Sequence, residues 1–76
     1  MPATYRITPH RNGYRVTDER GHVEIVTGKR SLRQPSQCDV FEIADDCRLA
    51  GAIDGEIDTT RFDIDKSTIT VTTVPE

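Results

Sequence analysis

The sequence has no tryptophan, one methionine, two leucines, two tyrosines and two phenylalanines among its 76 residues. The straight-chain residues that favour helices are thus scarce, and the few aromatics leave little material for a base-stacking platform. Long apolar runs are missing too. No stretch approaches the roughly 20 residues of a membrane span, and the opening "MPATYRITPHRNG" holds no apolar segment of signal-peptide length. The chain is therefore expected in the cytoplasm, where Cys38 and Cys47 stay reduced. A short-loop bridge between them would require an oxidising compartment and a geometry that spacing alone does not establish.

Catalytic and cofactor signatures are equally scarce. Cys38 and Cys47 lie nine apart and His10 and His22 twelve apart, neither of which is the close pairing of a zinc site. "GKRS" at 28–31 lacks the upstream glycine of a phosphate loop, and no histidine is placed to suggest a nucleophile with its base. With Gly55 as the central glycine of an EF-hand, the first and third ligand positions would be Ala50 and Ala52 and the twelfth Arg61. A chain of this length also offers few walls for a water-excluding cleft. The expectation is a protein that is not an enzyme and needs no cofactor. A noncanonical cation site at a sheet end gathering Asp45, Asp46, Asp63 and Asp65 is a minor alternative, since acids at turns are usually solvated turn formers.

What the sequence does hold is 7 isoleucines, 6 valines and 10 threonines, a β-branched population suited to pleated strands. Turn signals recur at "HRNG", "DERG", "ADD", "DG" and "DKS", marking strands near 4–9, 14–18, 22–27, 39–43, 47–53, 56–64 and 68–74. Tyr5 with Ile7, Tyr14 with Val16, and Val23 with Ile25 each alternate with polar neighbours. Gly13 and Gly21 are read as positive-φ turn residues, and Asp54-Gly55 as a two-residue type I′ hairpin turn. The last hairpin, turning at Asp65-Lys66, pairs Phe62 with Ile69 and Thr60 with Val71. The connection 28–37 is a loop by its Gly, Ser and Pro content, of a length that is often mobile or functional.

Residues 36–51 admit two readings. As a helix at about 37–50, Ser36 and Asp39 form a capping signal, Val40, Ile43, Ala44 and Cys47 share a face, and Gly51 ends it. That strands Leu49 on the polar side. As two strands no large apolar residue is stranded, and this reading is preferred. The expected fold is all-β, one small domain over 1–76, an antiparallel meander forming a sandwich or open barrel, with α+β as the alternative.

Charge supplies the functional expectation. Residues 1–37 carry 7 basic and 3 acidic side chains, whereas 38–76 carry 3 and 10. Glu56 with Asp58 and Asp63 with Asp65 are i, i+2 pairs, about 6.5–7 Å apart along a strand. Such a row of carboxylates approximates the phosphates of a nucleic-acid strand. With Asp45 and Asp46 these acids are the expected contacts to a basic, nucleic-acid-binding protein whose surface the chain would block. By analogy of size and charge only, this is the physics of the small acidic anti-CRISPR-like inhibitors of phages and other mobile elements. Two alternatives remain. The Thr-rich "STITVTTV" could add a strand to a partner sheet. Arg6, Arg11, Arg15, Arg20, Lys29, Arg30 and Arg33 could bind nucleic acid directly, a reading not favoured because the net charge is −3 and both tyrosines face the core.

Overall fold

The computed structural model describes residues 3–75. Five strands, β1 (Thr4–His10), β2 (Gly13–Asp18), β3 (Val23–Thr27), β4 (Ile57–Asp63) and β5 (Thr68–Thr73), form one antiparallel sheet in the order β3-β2-β1-β5-β4. One helix, α1 (Gln37–Leu49), packs on one face. The antiparallel β architecture expected from composition is borne out, in its α+β form. The layer that a sandwich would supply as a second sheet is the helix, and the sheet stays open, with β3 and β4 as its edges.

Strict alternation sets the register. Tyr5, Ile7, Tyr14, Val16, Val26, Ile69 and Val71 point to the helix side and are buried. Ile7 lies opposite both Val16 and Ile69, and the expected pairs Phe62 with Ile69 and Thr60 with Val71 are both present. The other face carries Arg6, Thr8, Arg15, Thr17, Arg61, Thr70 and Thr72, with no element over it among the described residues.

The strands expected at 39–43 and 47–53 are replaced by α1. Its ends show why. The Ser36 hydroxyl accepts the Asp39 N–H and the Asp39 carboxylate accepts the Ser36 N–H, a complete capping box. At the other end Gly51 has φ +85°, the Ala52 N–H reaches the Cys47 carbonyl and the Gly51 N–H the Arg48 carbonyl, a Schellman closure. Val40, Ile43, Ala44 and Cys47 are buried, as the helical spacing requires. The cost is the one anticipated, Leu49 at 70% exposed, and Phe41, about 12 Å away along the helix axis, is also 51% exposed.

Because α1 replaces those strands, Asp54-Gly55 is not a hairpin turn but part of the loop returning to β4; Gly55, at φ +95°, still needs its glycine. Gly21 has φ +82°, as expected, but Gly13 does not have positive φ. Its requirement is space, since a Cβ there would collide with the Val26 carbonyl oxygen.

Two phenols bolt the loops on either side of the helix. The Tyr14 hydroxyl accepts the Arg30 N–H at 2.9 Å and donates to the Arg30 carbonyl at 3.1 Å. Gly28 lies against the same ring, leaving no room for a Cβ, and Leu32 is buried. Tyr5 accepts the Asp54 N–H at 3.2 Å beyond the helix. The 28–36 connection is therefore a fastened strap.

Candidate interaction surfaces

Elementary electrostatics divides the molecule by face rather than by sequence half. On α1, Asp39, Glu42, Asp45 and Asp46 lie towards solvent with a single cation, Arg48. Arg48 Nη2 reaches Asp45 Oδ1 at 2.9 Å, and Arg30 reaches across from the strap to Asp39 at 3.2 Å and to Glu42 at 2.6 Å. These exposed pairs leave Asp46 unpaired among the described residues. The basic loop residue Arg30, expected as a possible phosphate contact, is committed to helix carboxylates and to Tyr14.

The six acids singled out by spacing do not form one row. Asp45 and Asp46 sit on α1. Glu56 precedes β4 and shares a surface depression with Phe41, Asp45, Arg48 and Ile57. Asp58 is the extra residue of a bulge, since Ile57 faces Thr73 and Thr59 already faces Thr72, so the i, i+2 relation with Glu56 is broken. Asp63 ends β4 and its carboxylate accepts the N–H groups of Asp65 and Lys66, which makes it a turn former. Asp65 lies in that turn, a strand length of about 20 Å from Glu56. Three of the six, Asp45, Asp46 and Glu56, thus adjoin the outer face of the helix, and three lie along or beyond β4. Asp45 and Asp46 are not gathered with Asp63 and Asp65, and among the described residues no group of three potential ligands is disposed to hold a metal ion.

Phe41 and Leu49 were missed as surface residues because size and hydropathy argued for burial. The helical wheel was the available signal. It places Leu49 opposite the buried stripe, between Asp45 and Glu42, and Phe41 on the flank of that face, between Arg48 and Asp45.

Strand addition through "STITVTTV" is not available, because β5 is paired on both sides, by β1 and β4. The free edges are β3, with Val23 and Ile25 exposed, and β4, whose bulge and charges blunt it.

Titration shifts mark structural groups. Burial, with Asp46 adding to it, pushes the Cys47 thiol up to about 12, so it stays protonated and inert. Burial also raises Tyr14 above its ordinary value, partly offset by the hydrogen bond with Arg30. His22 is raised by its hydrogen bond to Glu24 at 3.0 Å. Cys38 and Cys47 are both free and lie on one helix about 13.5 Å apart along its axis, which rules out a bridge between them in this fold. No helix among the described residues is long and apolar enough to cross a membrane. No family model matches the chain, and no curated protein or solved structure matches it.

Proposed function

We propose that the chain is a non-enzymatic binding protein that docks onto a basic, nucleic-acid-binding protein through the outer face of α1. The observation that carries this reading is the pairing of two exposed anchors, Phe41 and Leu49, with the flanking carboxylates of Glu42, Asp45 and Asp46. Interfaces of this anatomy place apolar side chains centrally and charge at the rim. The carboxylates steer a basic partner and set the on-rate, while the anchors slow dissociation. A helix of 13 residues is about 20 Å long, so even with Glu56 and Ile57 added the patch lies at the small end of specific interfaces. Binding is then transient and salt-sensitive unless the partner also covers β4. Occlusion of a nucleic-acid groove, the mode of anti-CRISPR-like inhibitors, is one concrete form.

The experiment is affinity capture at low salt followed by stepwise salt elution, with three variants. Phe41→Ser with Leu49→Ser should abolish capture at every salt concentration. Glu42→Gln with Asp45→Asn and Asp46→Asn should lower the salt at which the partner elutes. Asp58→Asn with Asp63→Asn and Asp65→Asn should leave capture unchanged. A partner that survives both helix variants refutes docking by this face. If it is instead lost when proline replaces Ile25, the exposed β3 edge is the contact.

A further inference from the structure

The opposite face of the sheet carries cations that the fold does not use. Arg6 faces Thr70 across β1 and β5, and Thr70 faces Arg61 across β5 and β4, so the two guanidinium groups share one cross-strand row. One strand, β5, lies between them, so two inter-strand spacings separate them, about 10 Å. Arg15 lies diagonally from Arg6, opposite Thr8, about 7–8 Å away. All three are exposed, and none has an ion pair or side-chain hydrogen bond among the described residues, whereas Arg30 and Arg48 are spent on helix carboxylates. Past Arg15, at the β1–β2 turn where the sheet ends, lies an open depression of about 600 Å³ whose wall includes His10, Arg11, Lys29 and Arg30 and, from the helix side, Tyr14 and Leu32, with no acid in it.

We infer that this face is a second binding surface, for the phosphate backbone of a single nucleic-acid strand, running from the depression across Arg15 to Arg6 and Arg61. Threonine hydroxyls between the arginines add hydrogen-bond donors to phosphate oxygens. Nothing projects from the face to enter a duplex groove, which favours a single strand lying flat. Tyr5 and Tyr14 are buried on the other side, so bases gain no stacking and binding is independent of sequence. Acids border it at two corners: Asp63, held by its own turn, at one, and at the other Asp18 and Glu19, which share a depression with Arg6, Glu19 accepting the Thr4 N–H at 2.9 Å. The net charge of −3 does not oppose this, because the molecule is 21 Å across its shorter axes and the screening length is about 8 Å at physiological salt. The helix carboxylates are largely invisible from the far face.

The test is fluorescence anisotropy with a fluorescein-labelled 20-nucleotide oligo(dT), its RNA counterpart and polyglutamate of equal charge. The expected dissociation constant falls in the non-specific range of about 10⁻⁴ to 10⁻⁶ M at physiological salt. Five phosphate contacts, from Arg6, Arg11, Arg15, Lys29 and Arg61, give a slope of log affinity against log salt of about −3.5, at about 0.7 per contact for single strands. Arg6→Gln, Arg15→Gln and Arg61→Gln together should reduce it to about −1.4 and weaken binding at least tenfold at low salt. The corresponding lysine variants should keep the slope, and the Phe41, Leu49 pair should leave it unchanged. All are surface positions, and circular dichroism checks that the variants are folded. Three results would each overturn the inference: no saturable binding at 50 mM salt, unchanged affinity in the glutamine variant, or equal binding of polyglutamate.

Discussion

Replacing Tyr14 with phenylalanine removes one oxygen, yet that oxygen satisfies both the N–H and the carbonyl of Arg30. A net hydrogen bond contributes about 0.5–1.5 kcal/mol. Arg30 is exposed, so water can partly re-satisfy its backbone, and Tyr14→Phe should cost about 2 kcal/mol. Tyr5→Phe loses a single bond, from Asp54, and should cost about 1 kcal/mol. For a domain of this size, those values correspond to melting shifts of about 10 °C and about 5 °C. Urea unfolding followed by circular dichroism measures both, since both rings stay in place. The Arg30 amide should also exchange faster with solvent in Tyr14→Phe alone. pH gives an independent reading. The folded-state pKa of Tyr14 is raised, so its stabilisation is complete below about pH 10, the unfolded value, and is lost as pH rises from there through the folded pKa. If Tyr5→Phe proves as costly as Tyr14→Phe, the strap is held by the packing of Leu32 and the hydroxyl argument fails.

Ser36→Ala should destabilise by about 1 kcal/mol by removing the capping box, measured by the same unfolding curves; Ser36→Gly should recover most of that loss. In the native protein one thiol, Cys38, should react with an aromatic disulfide reagent and a second, Cys47, only in denaturant. Proton NMR should find His22 titrating above 6.5 and returning towards it in Glu24→Gln. Since its folded pKa is raised, the small stabilisation from this pair is complete below pH 6.5 and lost as pH rises through the folded value.

The sheet was legible because its strands obey a period of two. Tyr5, Ile7, Tyr14 and Val16 alternate with polar residues, and the β4–β5 register follows from matching Phe62 to Ile69. The helix was misread for a physical reason. Assigning two strands buries both Phe41 and Leu49, and burial of large apolar residues was given more weight than Ser36, Asp39 and Gly51, whose capping chemistry in fact sets the local structure. The acid row failed for a related reason. An i, i+2 spacing implies one strand face only where the strand is regular, and a bulge at Asp58 and a turn after Asp63 end that regularity. The meeting of Arg6 with Arg61 could not have been read at all, because it depends on β5 lying between two strands from distant parts of the chain.

That same placement of β5 governs how the molecule must assemble. The first three strands form a local meander, in which each pairs with its neighbour in sequence. The central strand, β1, finds its second partner only when the final strand arrives, sealed by mutual bonds between Ala3 and Thr73. Pairing across so long a loop is slow compared with hairpin closure. In the interval the future middle of the sheet is a bare edge bordered by Tyr5 and Ile7, open to any complementary strand. The last strand of another copy fits that edge as well as the chain's own. A dimer fraction that rises with protein concentration on refolding is the expected sign of that exchange, and size-exclusion chromatography measures it.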